Sequence, residues 1–137
     1  MKFKICLLLV LTFYSLVSAA KLEFLSTGVW TNVKDVQAVG NYIYCACVDG
    51  LLILDKTNPD MDNPVGRCYV KGWCNRVAVL GNYAYLAGSY DGLPIIDVTD
   101  KHDPRIIAIF DSTAFVEAIT VTGNYAFVGD SAELYIF

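Results

Sequence analysis

The chain has 137 residues, five cysteines, a single histidine and a formal net charge of −4. An acidic balance argues against nucleic-acid binding, which needs a cationic surface to displace counterions from phosphates. The length allows one small domain, which buries about two-thirds of the surface that its unfolded chain exposes.

The first twenty residues carry Lys2 and Lys4, an apolar run from Ile5 to Val17, and then Ser18-Ala19-Ala20. A basic start, a short apolar run and small residues predict a secretory signal peptide over 1–20, cut after Ala19 or Ala20. The run is shorter than the ~20 apolar residues that span a bilayer. No cysteine follows the cut, so no lipoprotein anchor is indicated. The expected location is outside the cell or on its surface, with no transmembrane segment left after cleavage. Loss of Lys2 and Lys4 leaves eight basic against fourteen acidic residues, a net charge near −6.

Further along, Val39-Gly40-Asn41-Tyr42-Ile43-Tyr44 recurs as Leu80-Gly81-Asn82-Tyr83-Ala84-Tyr85 and as Thr122-Gly123-Asn124-Tyr125-Ala126-Phe127, at steps of 41 and 42 residues. Gly-Asn between alternating apolar runs predicts a tight hairpin with a two-residue type I′ turn. A hairpin repeated at this period suits a four-stranded propeller blade better than a helical repeat or a nonapeptide β-helix. In the middle copy the expected strands are Arg76 to Leu80, Tyr83 to Ala87, Leu93 to Val98 and Ile106 to Phe110. Val48-Asp49-Gly50 and Tyr90-Asp91-Gly92 read as turns. The segments Asn58 to Pro64 and Asp100 to Pro104 read as loops, since proline lacks the N–H that a central strand needs. The blade-like repeats fall near 33–70, 76–110 and 118–137, the last partial, within a domain spanning 21–137.

The succession Gly-Asn-Tyr-Ala-Tyr, Gly-Leu-x-Ile-Ile-Asp-Val and an Asp-rich proline loop, clearest over Val79 to Pro104, resembles the LVIVD-repeat family of secreted and cell-surface β-propellers. The first copy departs at Cys45 and Cys47, and the third at Asp130-Ser131-Ala132-Glu133-Leu134. The resemblance implies an all-β fold of antiparallel four-stranded blades and a location. It brings no catalytic residues and no cofactor.

Strands count as one, four, four and three, with Leu22 to Ser26 supplying the first. Three blades' worth is an incomplete ring, because closed propellers usually have at least four blades. Either the chain is a piece of a longer protein, or a second copy completes it. In the second case Leu22 to Ser26 of one chain completes the blade begun by Ala118 to Phe137 of another, giving a head-to-tail homodimer with six blades.

Four cysteines remain after cleavage, and an even number in an exported chain favours disulfides. Cys45 and Cys47 share a face of one strand and do not reach each other, and Cys68 lies on the outermost strand. Cys74, in the crossing between blades, is the partner expected for Cys47; small buried thiols are the alternative. The spacing does not match a zinc site. His102, the lone histidine, sits between Asp100-Lys101 and Asp103-Pro104 and reads as an exposed turn residue rather than a catalytic or metal-binding one. Asp60-Met61-Asp62-Asn63 alternates oxygens but lacks the glycine and glutamate of an EF-hand. The recurrent tyrosines Tyr42, Tyr44, Tyr83, Tyr85 and Tyr125 read as inter-blade packing.

A binding surface is expected where the copies differ, at Trp30, Lys71, Trp73 and Asn75 in the crossings that open on one end of the propeller. The alternative for the two tryptophans is that they cap the blades. The reading is an exported, non-catalytic module that binds or scaffolds an extracellular protein or glycan. The alternative is a fragment of a propeller enzyme, a quinoprotein-like dehydrogenase or a lyase, with its catalytic groups beyond Phe137.

Overall fold

A computed structural model describes residues 32–58, 63–88, 92–110 and 115–137. The signal segment, Leu22 to Ser26, Trp30, Asp60 to Asp62 and Tyr90-Asp91 lie outside the described residues. Among the described residues, eleven strands form three antiparallel sheets. The first blade is β1 (Val33–Val39), β2 (Tyr42–Cys47), β3 (Gly50–Asp55) and β4 (Gly66–Tyr69). The second is β5 (Arg76–Leu80), β6 (Tyr83–Ala87), β7 (Leu93–Asp97) and β8 (Arg105–Phe110). The third has β9 (Ala118–Thr122), β10 (Tyr125–Gly129) and β11 (Leu134–Ile136). Each blade pairs its strands in sequence order, and the first three strands of each are joined by short turns.

The hairpin turns differ from expectation. Val39 pairs with Tyr42 and Leu80 with Tyr83, so Gly-Asn is the whole loop. Gly40, Gly81 and Gly123 have φ of 58°, 58° and 56°, and Asn32 is the only non-glycine with positive φ among the described residues. The asparagines after the glycines therefore keep negative φ. Positive φ at the first central position alone is the type II′ pattern, not type I′. Glycine enters the left-handed region freely, whereas asparagine avoids strain by staying out of it.

Aspartates end the third strands. Asp55 Oδ1 accepts the Thr57 N–H at 2.8 Å and the Thr57 hydroxyl at 2.6 Å, and Asp97 Oδ1 accepts the Thr99 N–H at 2.8 Å. These side chains compete with the sheet for backbone donors and turn the chain out into the proline loops.

Blades pack face on face. Tyr44, Leu51 and Ile53 of the first blade meet Val77, Val79, Leu86, Ile96 and Val98 of the second in one buried cluster. Side chains of this size each contribute about 1.5–3 kcal/mol when fully buried. Ala87, Leu93, Val116 and Val128, with Ile119 and Tyr135, join the second blade to the third. Both faces of β2 and β3 are buried, Tyr44, Leu51 and Ile53 against the second blade and Cys45, Cys47, Leu52 and Leu54 on the opposite face, which explains why alternation gives way to continuous apolar runs. Gly66 is required by this stacking: a Cβ there would collide with the Lys101 carbonyl and lie 3.1 Å from Pro104 Cδ. Lys101 holds the same junction, donating to the Val98 carbonyl and placing Nζ 5.7 Å from the Tyr42 ring centre.

Candidate binding face

The crossing from β4 to β5 is anchored at its middle. Cys74 is 1% exposed and sits in the core between the first two blades. Asn75 N–H donates to the Ala87 carbonyl at 2.6 Å. Gly88, with φ of 116°, lets the crossing lie on the end of β6, because a Cβ there would come 2.9 Å from the Trp73 carbonyl oxygen and 2.7 Å from Asn75 N. With Cys74 turned inward, its neighbour in sequence turns outward: Trp73 is 62% exposed, and Lys71 is exposed beside it.

Asn75 also borders a depression of about 320 Å³ lined by Lys34, Arg76, Phe115 and Glu117. Lys34 lies at the start of β1, Arg76 begins β5 and Glu117 immediately precedes β9, so successive inner strands each contribute at the same end of the arc. Arg76 Nη1 donates to the Asn75 carbonyl at 3.0 Å, which turns the guanidinium back along the crossing. The face offers three cationic groups (Lys34, Lys71 and Arg76), an amide, a carboxylate and two aromatic rings. Groups of these kinds can engage a ligand by charge, hydrogen bonding and stacking.

The structure brings Lys71, Trp73 and Asn75 together on this end, as one short crossing; Trp30 lies outside the described residues. Lys34, Arg76, Phe115 and Glu117 were missed. The signal was available, since Lys34, Asn75 and Glu117 stand one place ahead of matching inner-strand positions and differ in chemistry from blade to blade.

The expected bridge from Cys47 to Cys74 is not formed. Cys45, Cys47, Cys68 and Cys74 are all free and buried. Strand alternation sends Cys45 and Cys47 to the far face of the first blade with Leu52 and Leu54, while Cys68 and Cys74 face the second blade. Cys47 Sγ lies 3.9 Å from the carbonyl oxygen of Cys45 on its own strand. Burial pushes the Cys45 thiol up to about 11 and the Cys74 thiol up to about 12, in each case with a smaller push from Cys47. Both are neutral thiols at physiological pH.

His102 is exposed, and its N–H is bonded to Asp100 Oδ1 at 2.9 Å, the arrangement of an Asx turn. The tyrosines divide. Tyr44 is buried between blades and its hydroxyl is harder to ionise because of that burial. Tyr85 lines a cleft between the second and third blades. Tyr83 and Tyr125 are exposed. Among the described residues, no group of three or more His, Cys, Asp or Glu is placed to hold a metal ion.

Antiparallel sheets of four, four and three described strands, stacked in chain order around their inner strands, define an incomplete β-propeller. The LVIVD repeat pattern matches residues 31–68, 71–112 and 116–137, and the chain belongs to that family. Among solved structures, the fold is similar to the computationally designed Ika8 protein at a TM-score of 0.63 and 9% identity, over 77% of this chain and 32% of that one. The chain thus spans about a third of that design's length. The designed Ika4 protein is similar at a TM-score of 0.52 and 6% identity, over 85% of this chain and 98% of the other. No curated protein matches the sequence.

Proposed function

We propose that the chain is an exported, non-catalytic propeller module that binds an extracellular protein or glycan through the end of the arc carrying Lys71, Trp73, Asn75 and Arg76. The observation that carries this reading is Trp73: a ring 62% exposed, on a crossing pinned by buried Cys74 and by the bond from Asn75 to Ala87. An exposed aromatic on a rigid mount loses little entropy on contact, which is the property of a binding anchor. The depression bordered by Asn75 offers the polar groups of Lys34, Arg76 and Glu117, at or next to the starts of three inner strands. Export is supported by the basic, apolar and small-residue succession of residues 1–20.

The test is retention of the fluorescently labelled mature chain on intact cells of its source. Trp73→Ala and Lys71→Ala should each reduce retention several-fold while leaving the unfolding midpoint unchanged. Retention equal to wild type in both variants contradicts the proposal. Mass spectrometry of the exported chain should find Ala20 or Lys21 at the N-terminus; a chain that keeps Met1 contradicts export by this route.

A further inference from the structure

The first two blades show what an inter-blade contact in this protein looks like, and each end of the arc exposes one half of it. At that contact Tyr44, Leu51 and Ile53 are 2%, 1% and 0% exposed, buried in one cluster with Val77, Val79, Leu86, Ile96 and Val98 of the second blade. Pairing register identifies the counterparts. Tyr44 pairs with Ile53 as Phe127 pairs with Ile136, which makes Ile136 the third blade's version of Ile53 and Leu134 its version of Leu51. Leu134 is 66% exposed and Ile136 60%.

The other half lies on β1. Val36 pairs with Cys45 as Val77 pairs with Leu86, so Val36 is the first blade's version of Val77. Val77 is 6% exposed and Val36 is 58%. The outer part of that face, Cys45 and Leu52, is already buried, which leaves the inner strand as the open surface. Inner strands are also what makes the existing contacts: β5 packs against β1 and β2, and β9 against β5 and β6.

We propose that the open face of the third blade binds β1 of a second copy of this chain, head to tail, with β1 of that copy taking the place on the third blade that β5 takes on the first. The occupant follows from the repeat itself. The exposed residues of the third blade, and the inner strand β1, match parts of the two sides of an interface that this sequence already forms, and both are present on one chain. Exposed apolar blade faces are association surfaces, and a heterologous contact extends or closes a ring according to its rotation.

The experiment is analytical ultracentrifugation of the mature chain over a range of concentrations, with Val36→Glu, Ile136→Glu and their equimolar mixture. Wild type should reach at least twice the monomer mass. Each variant alone should stay monomeric, because one of its two faces is spoiled. The mixture should form dimers, because the intact third blade of the Val36→Glu chain meets the intact β1 of the Ile136→Glu chain. Both side chains are exposed, so far-ultraviolet circular dichroism should be unchanged; Val36→Ser and Ile136→Ser replace either variant that unfolds. The proposal is overturned by a wild type that is monomeric throughout, which would leave these faces to blades elsewhere in a longer polypeptide. It is overturned equally by a Val36→Glu chain that associates like wild type, the result for third blades pairing edge to edge, or by a mixture that stays monomeric.

Discussion

Gln37 on β1 grips the backbone of Val79 on β5 with both ends of its amide: Oε1 accepts the Val79 N–H at 2.7 Å and Nε2 donates to the Val79 carbonyl at 3.4 Å. Two residues earlier, Asp35 Oδ2 accepts the Val77 N–H at 3.1 Å. β5 is the edge strand of its sheet, and no described strand pairs with its inner side. The side chains of β1 stand in for that missing strand and satisfy donors that β5 cannot pair within its own sheet.

Gln37→Ala should therefore destabilise the domain. A partly buried amide pair of this kind contributes about 1 kcal/mol per bond, and more where a donor is left buried and unsatisfied. For a domain near 100 residues that lowers Tm by roughly 4–8 °C per kcal/mol. Gln37→Glu, which keeps the acceptor for Val79 N–H, should lose less. Thermal unfolding of the three proteins checks the order wild type, Glu, Ala.

Two glycines separate space from conformation. Gly40→Ala adds a Cβ that meets nothing within 4 Å, but at φ of 58°, so the loss should be about 1 kcal/mol of backbone strain. Gly66→Ala drives a Cβ into the Lys101 carbonyl and should cost about 1–3 kcal/mol or more by overpacking. Urea titrations should rank Gly66→Ala as the more damaging change; equal effects would place the first two blades further apart than described.

The thiols should be silent in the native protein. At pH 8, Cys45 and Cys74 should resist iodoacetamide until denaturant is added, because burial keeps both protonated. Their folded values lie above that of an unfolded thiol, about 8.5. Stability is thus untouched below that pH, falls as the unfolded chain alone ionises, and stops falling above the folded values of about 11 and about 12. Mass spectrometry after timed alkylation, and unfolding midpoints from pH 8 upward, test this.

At the acid end the sign reverses. Hydrogen bonds from Thr57 hold Asp55 below the usual carboxylate value, and those from Thr99 do the same for Asp97. Arg105 lowers Asp103, and the N–H groups of Ala132 and Glu133 lower Asp130. Depressed carboxylates stabilise the fold above the unfolded value, near 3.9, and that contribution is lost as pH falls through the lower folded values. Tm should be level from pH 7 to about 5 and drop below about pH 4. Asp97→Asn should flatten part of that drop, since it removes one of the titrating groups.

Much of the fold was legible because hairpin, turn and third-strand signals recur together: Arg76 to Leu80 and Tyr83 to Ala87 are the observed bounds of β5 and β6. The turn type was misread because Gly-Asn suits two geometries, and only the φ of Asn41, Asn82 and Asn124 separates them. The cysteine pairing failed for a different reason. Alternation put Cys45 and Cys47 on one face, but which face was a matter of blade order, and it proved to be the one opposite Cys74. The grip of Gln37 on Val79 was not legible, because the second blade places Ala78 at the matching position and no repeat pattern marks it.

That mismatch gives the most direct test of blade-on-blade stacking. Val121 is the third blade's counterpart of Val79, and the second-blade residue matching Gln37 is Ala78, which has no side-chain acceptor. Amide hydrogen exchange followed by NMR should find the Val79 N–H strongly protected and the Val121 N–H exchanging much faster, with Val79 protection lost in Gln37→Ala. Equal exchange at Val79 and Val121, or a Val79 amide indifferent to Gln37→Ala, would contradict the stacking of the first two blades.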